Sequence, residues 1–179
     1  GDVLTMAKKN ISSAGTALSF LKIATCSETL INVLNRAYDN PMEPEEHAAV
    51  PFAGGIMQHG YQCGMIWGAA LSAGAEAYRL YGSGPHAETM AVHAAQKLVK
   101  SFRACSGTIN CLDITDLDKS SSVMKMIYVF LIKGKTLGCI RMSAKYARTA
   151  FNDINSALSE KNIEVPVQPV SCTALLAKK

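Results

Sequence analysis

Six cysteines and four histidines are the side chains of this 179-residue chain best suited to chemistry. One cysteine and one histidine fall in an uncharged stretch, Phe52 to Gly74, which reads FAGGIMQHGYQCGMIWGAALSAG. His59 and Cys63 are four apart, a spacing that on a helix puts an imidazole and a thiol within reach of one metal ion. A hydrogen-bonded core or interface histidine is the plainer account of His59. Gly60, Gly64 and Gly68 recur every four residues, with Ser72 next, so on a helix they share one face. Glycine inside a helix costs about 1 kcal/mol against alanine. Three in register therefore imply a gain from close packing or binding, and Cys63 and Trp67 lie beside the stripe.

The other cysteines come from separate segments. Cys26 opens a helix behind Thr25, which stands three residues before Glu28 in capping-box spacing. Cys139 falls in the first turn of the last long helix, and Cys111 lies in a connector. Unpaired N–H groups at a helix start favour the thiolate, the form that binds iron or zinc and performs redox chemistry. Taken singly, each is also what a buried, inert cysteine looks like. Cys105, at the end of an amphipathic helix, reads as core. There is no C-x-x-C and no C-x-x-C-H, so thioredoxin-type chemistry and covalent haem attachment are unsupported. G-x-G-x-x-G, Walker, G-x-S-x-G and H-E-x-x-H patterns are missing too, leaving no visible hydrolase or transferase machinery.

The stretch FAGGIMQHGYQCGMIWGAALSAGAEAYR, with Cys26 before it and Cys111 and Cys139 after, resembles the C_GCAxxG_C_C family of redox-active proteins. The motif runs CGMIWG from Cys63 to Gly68, with Met65 where the family has alanine. The likeness covers about residues 16–158 and matches Cys26, Cys63, Cys111 (in NCLDIT) and Cys139 (in LGCIRMSAKYA) to the four family cysteines. Split-Soret cytochromes carry a similar domain, and that kinship implies a helical homodimer with an iron–sulfur cluster. Their haem-binding segment is absent here. On this resemblance the four cysteines would be the cluster ligands, with His59 a lesser candidate.

The elements that must position these groups read as all-α, a compact helical bundle of about five or six helices around a central Gly/Ala-rich helix. Residues 1–11 look like a loose lead-in. Ser12 or Ser13 caps a first helix, the second follows Thr25 and ends at Asp39-Asn40-Pro41, and the glycine-striped helix runs to about Tyr81. Met90, Ala94, Leu98 and Phe102 mark the next. The run MKMIYVFLI predicts a helix with a fully buried end, and Ile140 to Leu158 the last one. Residues 161–179 read as an extended linker. Within it, Ser171-Cys172-Thr173-Ala174-Leu175-Leu176 echoes Thr25-Cys26-Ser27-Glu28-Thr29-Leu30, as though a second copy begins there.

A net charge of +4 is too mild for a nucleic-acid binder. Charge is uneven, however. Lys119, Lys125, Lys133, Lys135, Arg141, Lys145 and Arg148 occur in a stretch free of acids, either a solvated face or a docking patch for an acidic redox partner. The uncharged span Ala48–Ala75 invites a membrane reading, but Pro51, Gly54-Gly55 and its polar residues favour a buried helix. The initial glycine suggests a removed leader or tag, compatible with the periplasm, notably of an anaerobe, or with the cytoplasm. Three functions remain open: an iron–sulfur electron-transfer protein, a thiol–disulfide or metal-handling protein, and a non-catalytic module that dimerises through the glycine stripe.

Overall fold

In the computed structural model, which describes residues 10–160 apart from the side chains of Met126, Phe130 and Leu131, the chain is all-α. Its helices are α1 (Ser13–Ile23), α2 (Cys26–Ala37), α3 (Glu43–Ala48), α4 (Gly64–Tyr81), α5 (Pro85–Ser106), α6 (Cys111–Thr115), α7 (Val123–Ile127) and α8 (Lys135–Leu158). A 3₁₀ turn follows α3 at Val50–Phe52, and α7 runs on into a π-helical turn at Tyr128–Ile132. The lead-in over residues 1–9 and the linker with its suggested second copy lie outside the described residues.

Local chemistry explains most boundaries. The Ser12 hydroxyl accepts from the Gly15 amide at 3.2 Å and starts α1. Ala24 then turns left-handed, with φ 66°, so Thr25 can begin α2 at once. Pro85 occupies the first position of α5, and Gly107, at φ 78°, ends it. Ser122 caps α7 by accepting from the Lys125 amide at 3.2 Å.

The core lies where α4 packs on α5 and α2, and α8 on α5 and α1. Met90, Ala94, Leu98 and Phe102 are buried on α5 as their spacing predicts, and Ala69, Ala73 and Ala77 supply a thin face on α4. On the α2 side of α4, a Cβ at Gly68 would stand 2.1 Å from the Ser27 carbonyl oxygen and 3.1 Å from Leu30 Cβ. One turn on, the buried Ser72 hydroxyl donates to Asn35 Oδ1 at 2.8 Å. Bare glycines thus let two helices touch backbone to backbone, and a hydrogen bond fixes their register.

Two expectations are corrected. Gly60 and His59 are not helical: α4 begins at Gly64, with Cys63 as its N-cap, so the helical stripe comprises Gly64, Gly68 and Ser72. The reason is a left-handed run through Gly54, Gly55, Ile56, Met57 and Gln58, with φ between 47° and 72°. No right-handed helix passes through such a segment. The apolar run after Ser122 is not fully buried either. Val129 is 1% exposed, but Ile127, Tyr128 and Ile132 are 46%, 48% and 71% exposed.

No described helix is long and apolar enough to cross a membrane.

Candidate functional site

The sulfur-bearing site begins with backbone pairing between two loops. The Cys63 amide donates to the Ile109 carbonyl at 2.8 Å, the Cys111 amide to Tyr61 at 2.7 Å, and the Leu112 amide to Gly60 at 3.0 Å. This short antiparallel ladder, bridged at Gln62 and Asn110, holds Cys63 and Cys111 on adjacent segments. Gly60 serves here instead of on the helix. Its φ is 78°, and a Cβ would meet Leu112 Cβ at 2.7 Å. Cys111 is the first residue of α6, a helix too short to read from the sequence.

The left-handed run abuts this ladder and adds Gly54 and Gln58 to the cavity lining. Each such L-residue costs roughly 1–2 kcal/mol, and a β-branched one such as Ile56 is an outlier. The segment is held by Ile56 N–H to the Phe52 carbonyl at 3.2 Å and by Gly60 and Tyr61 amides to Gly54 and Gly55 carbonyls, both at 3.0 Å. Gly55 is required as glycine. Besides its φ of 72°, a Cβ would lie 2.5 Å from the Tyr61 backbone and 2.8 Å from Cys111 Cβ.

Cys26, Cys63, Cys111 and Cys139, on four different segments, all line one cavity of about 440 Å³. Phe20, Met65, Ile114, Leu117 and Met142 make its apolar wall, and Thr25, Gln58, Thr115, Asp118 and Thr136 its polar positions. Cys63 and Cys111 are buried, whereas Cys26 and Cys139 are half-buried, and all four are free thiols. Cys26 is the first residue of α2, and Cys139 is the fifth of α8, just past the first turn. Among the described residues, no group of three or more cysteine, histidine or acidic side chains is gathered around one point as a metal ion requires.

The thiols are electrostatically unequal. Cys63 donates its S–H to the Cys26 sulfur, which is the main reason the Cys26 pKa falls to about 7 despite burial. Amides of Gly54, Ser27 and Cys26 itself add to the fall. The same hydrogen bond, with burial, drives Cys63 well above the usual thiol range. Burial and the neighbouring Cys26 charge raise Cys111, and burial raises Cys139 to about 11. One thiol is therefore available as thiolate at neutral pH, and its neighbour holds the proton.

His59 is not among the lining residues; its ring stacks on Tyr61 with centroids 5.2 Å apart. Cys105 is exposed on α5 rather than in the core. Sequence reasoning missed Gly54, Gly55 and Thr115 at the site. The Gly54-Gly55 pair was the available signal.

No curated protein and no solved structure matches the chain significantly. A family model described as "Putative redox-active protein (C_GCAxxG_C_C)" matches residues 24–152, a span that contains all four cavity cysteines. The chain belongs to the C_GCAxxG_C_C redox-active protein family.

Proposed function

We propose that the chain is an electron-transfer protein that binds an iron–sulfur cluster through Cys26, Cys63, Cys111 and Cys139. The observation that carries this reading is the lining of a single cavity by all four. Four soft thiols on apolar walls suit iron and sulfide chemically. Among the described residues no three of these thiols gather around one point, as a single ion would require. A tetrahedral zinc at 2.3 Å from each sulfur would draw the sulfurs to within about 3.8 Å of one another. A cavity of about 440 Å³ lined by all four would leave room for a larger group than one ion.

The bare wall fits the same reading, since a Cβ at Gly64 would stand 2.7 Å from the Cys26 sulfur. When bound, the cluster would supply one-electron chemistry. The chain's own part is to exclude water with Phe20, Met65 and Leu117 and to offer amides to sulfur, both of which tune a potential. Electrons would come from an acidic partner on the basic Lys119–Arg148 side. The dimer that the resemblance implies would use a surface other than the glycine stripe, which α2 of the same chain fills. Purification without oxygen, followed by iron and acid-labile sulfide assays on wild type and on each Cys→Ser variant, tests the proposal. Colour that survives all four substitutions, or protein free of iron, rejects it.

A second reading rests on the Cys26–Cys63 hydrogen bond. The Cys26 thiolate would attack a disulfide substrate, releasing one thiolate. The Cys63 sulfur would then displace the second thiolate by closing a Cys26–Cys63 bond, its proton passing to the leaving sulfur. Two substrate thiols form as two protein thiols are oxidised. A reversible loss of two free thiols in iron-free protein would mark this chemistry, and an unchanged thiol count would exclude it.

A further inference from the structure

The segment that the sequence consigns to the core presents a run of exposed apolar side chains. On α7 and the π-helical turn, Val123, Met124, Ile127, Tyr128 and Ile132 are 46% to 75% exposed, and Leu137 at the start of α8 is 64% exposed. Surfaces of this kind mark interaction sites. Val123 and Ile127 form one row, and Met124, Tyr128 and Ile132 a second, each stepping by four as on one side of a helix. Lys125 and Lys133 lie within the segment, Lys119 just before it and Arg141 and Lys145 farther along α8, and all five are exposed. Lys133 lies over the Tyr128 ring at 5.6 Å.

Position ties this face to the sulfur cavity. Leu117 and Asp118 line the cavity just before the segment, and Thr136 and Cys139 line it just after. The segment is thus flanked on both sides in the chain by cavity-lining residues, among them the half-buried Cys139.

We infer that this face docks an acidic redox protein, whose carboxylates meet Lys119, Lys125 and Lys133 and whose apolar centre meets Met124, Tyr128 and Ile132. The inference rests on the electron-transfer reading and names the partner chemistry of that site. Charge decides among occupants. A second copy in a two-fold contact would set the same basic residues against themselves, which is repulsive. A membrane with anionic lipid would attract the lysines, but α7 and the π turn together give only ten residues, about 15 Å of helix. An acidic protein with an apolar centre satisfies both features.

The test is calorimetric titration of the full chain with an acidic [2Fe–2S] ferredoxin as probe, at low and high salt. Wild type is expected to bind at low salt and to weaken steeply as salt rises. Lys125→Glu with Lys133→Glu should weaken binding about tenfold or more. Lys125→Arg with Lys133→Arg should retain it, and Met124→Ser with Ile132→Ser should weaken it without changing the salt slope. All these side chains are exposed, and far-ultraviolet circular dichroism checks that each variant folds. No ferredoxin binding by wild type overturns the inference. So does binding to vesicles of anionic lipid that the same charge reversals abolish, or a self-association that the Met124→Ser, Ile132→Ser variant abolishes. Iron content is read separately. A colourless chain that binds ferredoxin counts against the cluster, and a coloured chain that does not bind counts against the docking face.

Discussion

A methyl group at position 64 would lie 2.7 Å from the Cys26 sulfur and 2.8 Å from the Phe52 carbonyl oxygen. Gly64 is therefore both a packing residue between α2 and α4 and part of the wall behind a thiol. The packing of the bundle and the chemistry of the cavity are set by the same missing side chain.

Glycines on α4 separate into two kinds by what faces them. Gly68→Ala places its Cβ against the Ser27 carbonyl, a backbone atom that cannot rotate away. It should cost about 3 kcal/mol, the upper end of ordinary overpacking. Gly74→Ala, with nothing within 4 Å, should instead stabilise the helix by about 1 kcal/mol. Urea unfolding midpoints of the two variants check the contrast.

Thiol reactivity in metal-free protein should follow the Cys26–Cys63 hydrogen bond. The thiolate is the nucleophile, so Cys26 should alkylate faster as pH rises, with a midpoint near its pKa of about 7. Cys139, pushed up to about 11, should stay slow until far higher pH. Cys63→Ala removes the S–H donor and should move the Cys26 midpoint upward. Mass spectrometry of iodoacetamide-treated protein in a Cys105→Ser, Cys172→Ser background gives each rate.

Much of this bundle was legible from helical spacing and caps. Ser12, Pro85 and the Met90–Phe102 ladder act through neighbours in sequence, so their effects can be read locally. The failures have one common cause, which is that backbone geometry depends on distant partners. The left-handed run at Gly54–Gln58 is held by Gly60 and Tyr61, which themselves pair with residues 111 and 112, and nothing in IMQHGYQ announces a break between His59 and Cys63. The apolar run after Ser122 misled for another reason. Hydrophobicity reports a preference for cover, and the chain itself supplies that cover only to Val129 among the side chains described there. At the site, the four cysteines were legible by type and order. Their common cavity was not, because it depends on the Cys63–Ile109 and Cys111–Tyr61 pairing.

Glu76 is 2% exposed and is held by Arg79 through two hydrogen bonds, at 2.7 Å and 2.5 Å. Arg79→Met would strand that carboxylate and should cost about 3–5 kcal/mol. Arg79→Met combined with Glu76→Leu should recover most of the loss, because the burden is an unpaired buried charge rather than a missing contact. Thermal unfolding of the two single variants and the double variant completes the cycle.

The central claim is that Cys26, Cys63, Cys111 and Cys139 share one polynuclear cluster, and iron-edge X-ray absorption of protein handled without oxygen tests it most directly. The account predicts a first shell of sulfur alone together with a resolved iron–iron shell. A shell containing nitrogen or oxygen, iron without an iron neighbour, or no iron at all would contradict it.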